Sequence, residues 1–477
     1  EQPADWDYTG ETYHEAKASA KGASVDLTLT TDLRIGFEGS RAAARSTMRE
    51  GDTAFVALAW SEHPGPTNFH EAFERMDATS NYWREWVGHG NFPDHPWRSY
   101  LERSALTLKG LSYAPSGAIA AAPTTSLPRE PGGERNWDYR YCFMRDAAFA
   151  LWGSYSLGFD WEADDFFYFL ADMADGEDAL QNIYGVSGER ELPERTLEHL
   201  DGYGGAKPVR VGNASYEYEQ HDVWGAILDA VWLHARTRDK LPERVWPIVK
   251  RQVEVVVEKW REPDRGIWAL RGEPQHYTSS KVMCWVALDR GAKLAGVRQE
   301  TDLQDSWEMA AAEIRQDVVE NALDERGVFC QHYDTDALDA SVLLMPMVGF
   351  LPRSDTRVRK TVLAIEDELT VNGVVLRQAP DEEHSSVEGE AFAVCSFWLV
   401  AALARIGETD RARDLCERML AFASPLELFA ENIDPHTGRH LGNFPHAFTH
   451  LAMVNAIQHV IASDEGAMPH EDEGLTT

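Results

Sequence analysis

The sequence is poor in positive charge. It sets 45 lysines and arginines against 79 aspartates and glutamates, a net charge of −34 over 477 residues. Such a surface repels phosphate backbones, which argues against nucleic acid as a partner. Lysine is scarce relative to arginine, so an ordinary acidic protein and one from a salt-tolerant source both fit. Cysteine is also rare. Cys142, Cys284, Cys330, Cys395 and Cys416 form no CxxC pair. An odd, scattered set reads as reduced thiols in the cytoplasm and offers no metal site. No apolar run is long enough to cross a bilayer, and no signal-peptide pattern follows Glu1, so no membrane partner is expected.

With 43% hydrophobic and 26% charged residues, the chain should fold as a soluble globule. Residues 24–61 alternate in the strand manner, in "ASVDLTLTTDLRIGF" and "TAFVALAW", with "REGD" as a turn between them. This is too little for a stable sandwich on its own, and it reads as the C-terminal part of a β-domain over 1–65. Residues 66–94 hold a linker helix, and an acidic tail covers 466–477.

Between them, over 95–465, the pattern is helical. Segments fall near 97–113, 145–158, 161–174, 220–237, 242–260, 280–295, 301–322, 337–350, 356–369, 390–406, 410–423 and 446–462. Odd members such as "DSWEMAAAEIRQDVVENAL" carry charge on one face. Even members such as "AFAVCSFWLVAALARIG" are apolar nearly all round. A helix apolar on every side is buried on every side, while an amphipathic one forms an outer layer. The alternation predicts six helical hairpins closed into a ring. The fold class expected is all-α, an (α/α)6 barrel preceded by the remnant of an N-terminal β-sandwich. An irregular helical bundle is the alternative.

The polar-aromatic stretches are placed regularly. "ERNWDYRYCFMRD", "GGAKPVRVGNASYEYEQHD", "GIWALRGEPQHYTSS", "CQHYDTDALD", "DEEHSSVEGE" and "HTGRHLGNFPH" each lead into an inner helix. In a ring of parallel inner helices these loops meet at one end. Tryptophan and tyrosine faces pack on the C–H side of a pyranose, and charged groups grip its hydroxyls in pairs. The expected partner is a small carbohydrate. Taken singly, the motifs have plainer readings. Asp336 and Asp339 suit helix N-caps, and His221, His276 and His332 suit satisfied loop histidines. The "NAS" at Asn213 matches a glycosylation sequon, which matters only in a secreted chain.

Longer runs resemble glycoside hydrolase family 15, the glucoamylase and trehalase-like family, on its bacterial or archaeal glucoamylase-like branch. They include "RSALTLKGLSYAPSGAIAAAPTTSLP", "NWDYRYCFMRDAAFALWGSYSLGF", "SSKVMCWVALDRGAKLA" and "IDPHTGRHLGNFPHAFTHLAMVNAI". The resemblance implies the (α/α)6 barrel and hydrolysis of α-glucosidic bonds at a non-reducing end with inversion. The substrates would be malto- or isomalto-oligosaccharides or trehalose, with no metal or cofactor. It implies that Arg145 and Asp146 bind hydroxyls of the terminal glucose. Tyr139, Asp138 and Trp268 would line the same pocket, with Arg210 and Asn213 facing it from the next loop.

Two positions depart from the family pattern. The acid is expected directly after the loop tryptophan, in Trp-Glu-(any)-Arg-Gly; this chain reads Trp268, Ala269, Leu270, Arg271, Gly272. The base is expected six residues before Cys395, at Gly389, flanked by Glu388 and Glu390. Three readings stay open. In the first, the enzyme is active with relocated carboxylates, Glu388 or Glu390 as base and Glu273 as acid. In the second, the chain is a relative that binds a glucoside without cleaving it. In the third, it is an engineered knock-out of an active enzyme. Turnover is expected to be impaired, because alanine has no proton to give.

Overall fold

The computed structural model describes residues 5–9, 12–19, 26–60, 65–175, 180–238, 240–270, 272–378 and 391–466. Glu388, Gly389, Glu390 and Arg271 lie outside them. The chain divides into two units, Glu1–His89 and Gly90–Thr477.

The first unit holds strands β1 (Asp5–Tyr8), β2 (Glu15–Ser19), β3 (Leu27–Thr31), β4 (Gly36–Glu38), β5 (Arg41–Ala43) and β6 (Val56–Trp60). An antiparallel sheet runs in the order β1-β2-β3-β6, and β4 pairs with β5. The register pairs Trp6 with Ala18, Ala18 with Leu27, and Leu27 with Trp60. Directly paired residues share a face, so these form an apolar side, while Lys17 and Thr28 form a polar one. Phe37 covers part of the apolar side against the rings of Trp6 and Tyr8. The expected turn forms at "REGD", where Asp52 accepts from the Arg49 N–H. Helix α1 (Phe69–Gly88) starts at Asn68, whose side chain accepts from the Glu71 N–H; the Glu71 carboxylate accepts in return from the Thr67 N–H.

In the second unit the helices are α2 (Arg98–Leu111), α3 (Ala147–Ser156), α4 (Asp160–Ala174), α5 (Asp222–Thr237), α6 (Trp246–Lys259) and α7 (Thr278–Val297). They continue as α8 (Thr301–Asn321), α9 (Leu344–Val348), α10 (Thr356–Leu369), α11 (Ala393–Arg405), α12 (Thr409–Ala421) and α13 (Ala447–Asp464). The two predicted helix types are present. Every residue of α11 is buried, whereas α8 buries one stripe, Trp307, Ala311, Ile314 and Val318. That 4-3-4 spacing is one face of a 3.6-residue helix. Ile314 is fully buried, so truncating it to alanine should cost about 2–5 kcal/mol. The buried helices pack in sequence, α3 on α5, α5 on α7, α7 on α9, α9 on α11 and α11 on α13; α13 also packs on α3.

The segment expected as a helix over 337–350 is shorter than predicted. A 3-10 turn covers Ala340–Leu343, and α9 follows for one turn and a little more. Pro346 has no N–H to continue the ladder, and Gly349 at φ 72° ends it in the left-handed region. Its orphan carbonyls are met from the neighbouring helices. Arg290 of α7 donates to the Val348 carbonyl at 3.0 Å, and Arg405 of α11 to the Pro346 carbonyl at 3.0 Å. Arg290 is itself buried and paired with Asp229 of α5 at 2.7 Å.

Candidate active site

The loops leading into the buried helices are tied to one another by side chains. The Asp138 carboxylate takes Arg140 in a two-point grip, at 2.8 and 2.7 Å, and accepts from the Gly212 N–H at 3.1 Å. Asn213 donates to the Asp138 carbonyl at 3.0 Å and caps the following turn at the Ser215 N–H. Arg210 donates to the carbonyls of Glu134 and Asn136 and pairs with Glu194 at 3.1 Å. These three residues therefore join the loop before α3 to the loop before α5. Asn213 is buried, so its sequon is not displayed.

A row of rings links the loops that lead into the buried helices. Trp268 meets Phe392 at 5.7 Å, Phe392 meets His446 at 5.6 Å, His446 meets Tyr139 at 5.7 Å, and Tyr139 meets Phe143 at 5.4 Å. Three arginines stand over the row: Arg377 over Trp268, Arg129 over Phe392 and Trp137, and Arg145 over Phe143 and Phe448. Aromatic faces beside fixed guanidinium groups make a surface suited to a sugar ring and its hydroxyls.

Carboxylates are hydrogen-bonded to two of these rings. Glu431 is buried, with Arg129 donating to its Oε1 at 2.6 Å and the Asn443 N–H to its Oε2 at 3.2 Å. Arg129 also donates to the Tyr139 hydroxyl at 2.8 Å, and Tyr139 is hydrogen-bonded to Glu431. Burial pushes the Tyr139 phenol well above its usual range, so its proton stays on. The chain is cut close around this carboxylate. A Cβ at Gly442, which has φ 74°, would lie 2.5 Å from Glu431 Oε2. Glu431 was not among the residues singled out from sequence. The signal open to such a reading was a lone carboxylate in the apolar run Phe429-Ala430-Glu431, just before the "DPHTG" turn.

On the other side, the Trp268 indole N–H rests on both oxygens of Asp339, at 2.9 and 3.0 Å. Asp339 also accepts from the Ser341 N–H, the N-cap expected of it, and from Gln331. Ala269 follows Trp268 at φ 51°, a left-handed conformation that costs a non-glycine residue roughly 1–2 kcal/mol. Glu273 is exposed further along this loop.

Arg145 donates to the Ile267 carbonyl at 2.9 Å and to Asp146 at 3.2 Å. Burial pushes the Asp146 carboxyl up to about 6 against the pull of Arg145. Beneath Arg145 lies a cavity lined by Asp222, Ile267, Met283, Trp398 and Phe448. Neither oxygen of Asp222 has a hydrogen-bond partner, and burial pushes its carboxyl up to about 7. His221, expected to be satisfied, has the Glu219 carboxylate 3.7 Å from its Nε2, beyond hydrogen-bond distance; the ring stacks on Trp224 at 4.7 Å, and burial pushes it down to about 4. Both lie at the buried start of α5, where helix packing leaves few partners. His332 bonds the Tyr333 carbonyl, and His276 stacks on Tyr333. No group of three or more potential metal ligands occurs among the described residues.

The sequence matches the model of glycosyl hydrolases family 15 over residues 96–458. The chain belongs to that family. Family 15 relatives include a trehalase of Mycobacterium tuberculosis, 58% identical over 97% of this chain and 70% of that protein. Another is a trehalase of Mycolicibacterium smegmatis, 56% identical over 97% of this chain and 71% of that protein. A bacterial glucoamylase complexed with acarbose shares the fold at TM-score 0.73 and 13% identity, over 97% of this chain and 76% of that one. A glycosidase in complex with glucose does so at TM-score 0.61 and 19% identity, over 80% of this chain and 100% of that one. As a family 15 member this chain is a glycoside hydrolase, largely helical with a small N-terminal antiparallel sheet. No helix among the described residues is long and apolar enough to cross a membrane.

Proposed function

We propose that this chain binds the terminal glucosyl unit of an α-glucoside and carries an inverting displacement at its C1, with α,α-trehalose as the natural substrate. Support for trehalose is the match to two mycobacterial trehalases over nearly the whole chain. The packing order of the buried helices, which returns from α13 to α3, supports the (α/α)6 barrel. The sheet of the first unit is read as belonging to a β-sandwich, ahead of a barrel domain over 95–465.

The observation that carries the reading is Glu431, a buried carboxylate held by Arg129 and by Tyr139 of the ring row. An inverting enzyme needs a carboxylate to take a proton from water on the face opposite the leaving oxygen. Arg129 is paired with Glu431. Glu431 is therefore our candidate base, in place of Glu388 or Glu390, which lie outside the described residues. Arg145 and Asp146 take sugar hydroxyls, and Trp268 and Tyr139 flank the ring. Asp138, Arg210 and Asn213 hold the loops around it.

Ala269 stands where the resemblance puts the acid, and Glu273 is exposed beyond it. We therefore expect disaccharide turnover about 10²–10⁴-fold below that of a site with a working acid. The same observation favours a second reading, a binding protein on an enzyme scaffold. Calorimetry with glucose and trehalose, paired with glucose-release assays, separates the two. Binding with slow release supports the hydrolase, and binding with none supports the second reading. Arg145→Ala should abolish binding; unchanged affinity refutes the pocket.

A further inference from the structure

We propose that His446 binds one hydroxyl of the glucosyl unit, giving its Nε2–H to the sugar while its Nδ1 caps α13. The proposal rests on the reading of Arg145 and Tyr139 as sugar contacts.

His446 is 2% exposed and stands at the start of α13. Its Nδ1 accepts from the Thr449 N–H at 3.3 Å, and the Thr449 hydroxyl stands 2.9 Å from the same nitrogen. These contacts hold the ring by one edge. A backbone N–H only donates, so with Nδ1 as its acceptor the neutral ring carries its proton on Nε2. Burial and the charges of Arg145 and Arg129 push the ring well below the usual histidine range, which keeps it neutral. The two nitrogens of an imidazole point away from each other, so Nε2–H is directed away from α13. Among the described residues it has no hydrogen-bond partner.

The surroundings of the ring are those of the sugar reading. It lies between Tyr139, at 5.7 Å, and Phe392, at 5.6 Å. The charges that act on it most are Arg145 and Arg129. Capping does not ask for a ring, since Ser, Thr, Asp and Asn are the usual N-caps. What the imidazole adds is a second nitrogen beyond the helix end. A donor buried there needs an acceptor, and a sugar hydroxyl oxygen supplies one.

The test uses two variants of the full chain. In His446→Asn the amide oxygen stands where Nδ1 stood, so the cap is kept and the Nε2 donor is lost. In His446→Gln the amide reaches the place of Nε2, so the donor is kept and the cap is weakened. His446→Asn should melt near the parent Tm yet bind glucose about tenfold more weakly by calorimetry. His446→Gln should melt lower and keep most of the affinity. The opposite order would make His446 a cap alone and overturn the proposal. Deoxy analogues of glucose, one for each hydroxyl, locate the contact. The analogue that lacks the hydroxyl held by His446 should bind the parent and His446→Asn alike. If His446→Asn weakens every analogue as much as glucose, the ring touches no hydroxyl and the proposal falls. The reading beneath it fails separately: a parent that binds no glucose, or Arg145→Ala at the parent affinity, removes the pocket itself.

Discussion

Replacing Asp222 by asparagine should change how stability depends on pH. Asp222 is 1% exposed, and neither carboxylate oxygen has a hydrogen-bond partner. Burial lifts its carboxyl from 3.8 to about 7, with Asp264 and Asp146 adding to the lift and Arg145 opposing it. A raised carboxyl binds its proton more tightly in the folded state than in the unfolded one. Its contribution is therefore most favourable below about pH 4, declines as pH rises, and levels off above about pH 7. The move from 3.8 to about 7 corresponds to roughly 4 kcal/mol. Asparagine keeps the shape and has no such slope. The whole-protein curve mixes this with the opposite effect of buried histidines. His221, His234, His450 and His459 are pushed down by burial and lose stability as pH falls below about 6.5. The difference between variant and parent isolates Asp222. Urea unfolding followed by tryptophan fluorescence, in steps from about pH 4.5 to 8.5, should show Asp222→Asn gaining on the parent as pH rises. A difference that stays flat over that range would refute the assignment of a buried, unpartnered carboxyl.

Three further outcomes can be checked by the same unfolding assay. Glu431→Ala strands Arg129 beside the rings and should cost about 3–5 kcal/mol, whereas Glu431→Gln, which keeps an acceptor, should cost clearly less. Arg290→Ala removes both the partner of Asp229 and a donor to the end of α9, and should cost about 3–5 kcal/mol with a lower Tm. Ala269→Gly should stabilise by about 1 kcal/mol, since glycine meets no penalty at φ 51°; a loss of stability would show that the methyl group is well packed.

The helices were legible because burial writes itself into period. A residue of α8 faces inward every three or four positions, and a residue of α11 at every position, whatever lies elsewhere in the chain. The misjudged length of α9 has a local cause, because Pro346 and Gly349 interrupt an otherwise apolar segment. Trp268, Tyr139 and Arg145 could be picked out because their residue types are unusual in loops. Glu431 could not, since what marks it is Arg129, 302 positions away in the chain. Asp138 shows the reverse. It stands out in "NWDYRY", yet its carboxylate is spoken for by Arg140 two residues later and by Gly212.

The left-handed backbone at Ala269 has a bearing on what can be placed there. A residue with a side chain already holds this turn at φ 51°, so the strain of the conformation is met before any longer side chain is introduced. Ala269→Glu would then add a carboxyl next to Trp268 without asking the backbone for a new conformation.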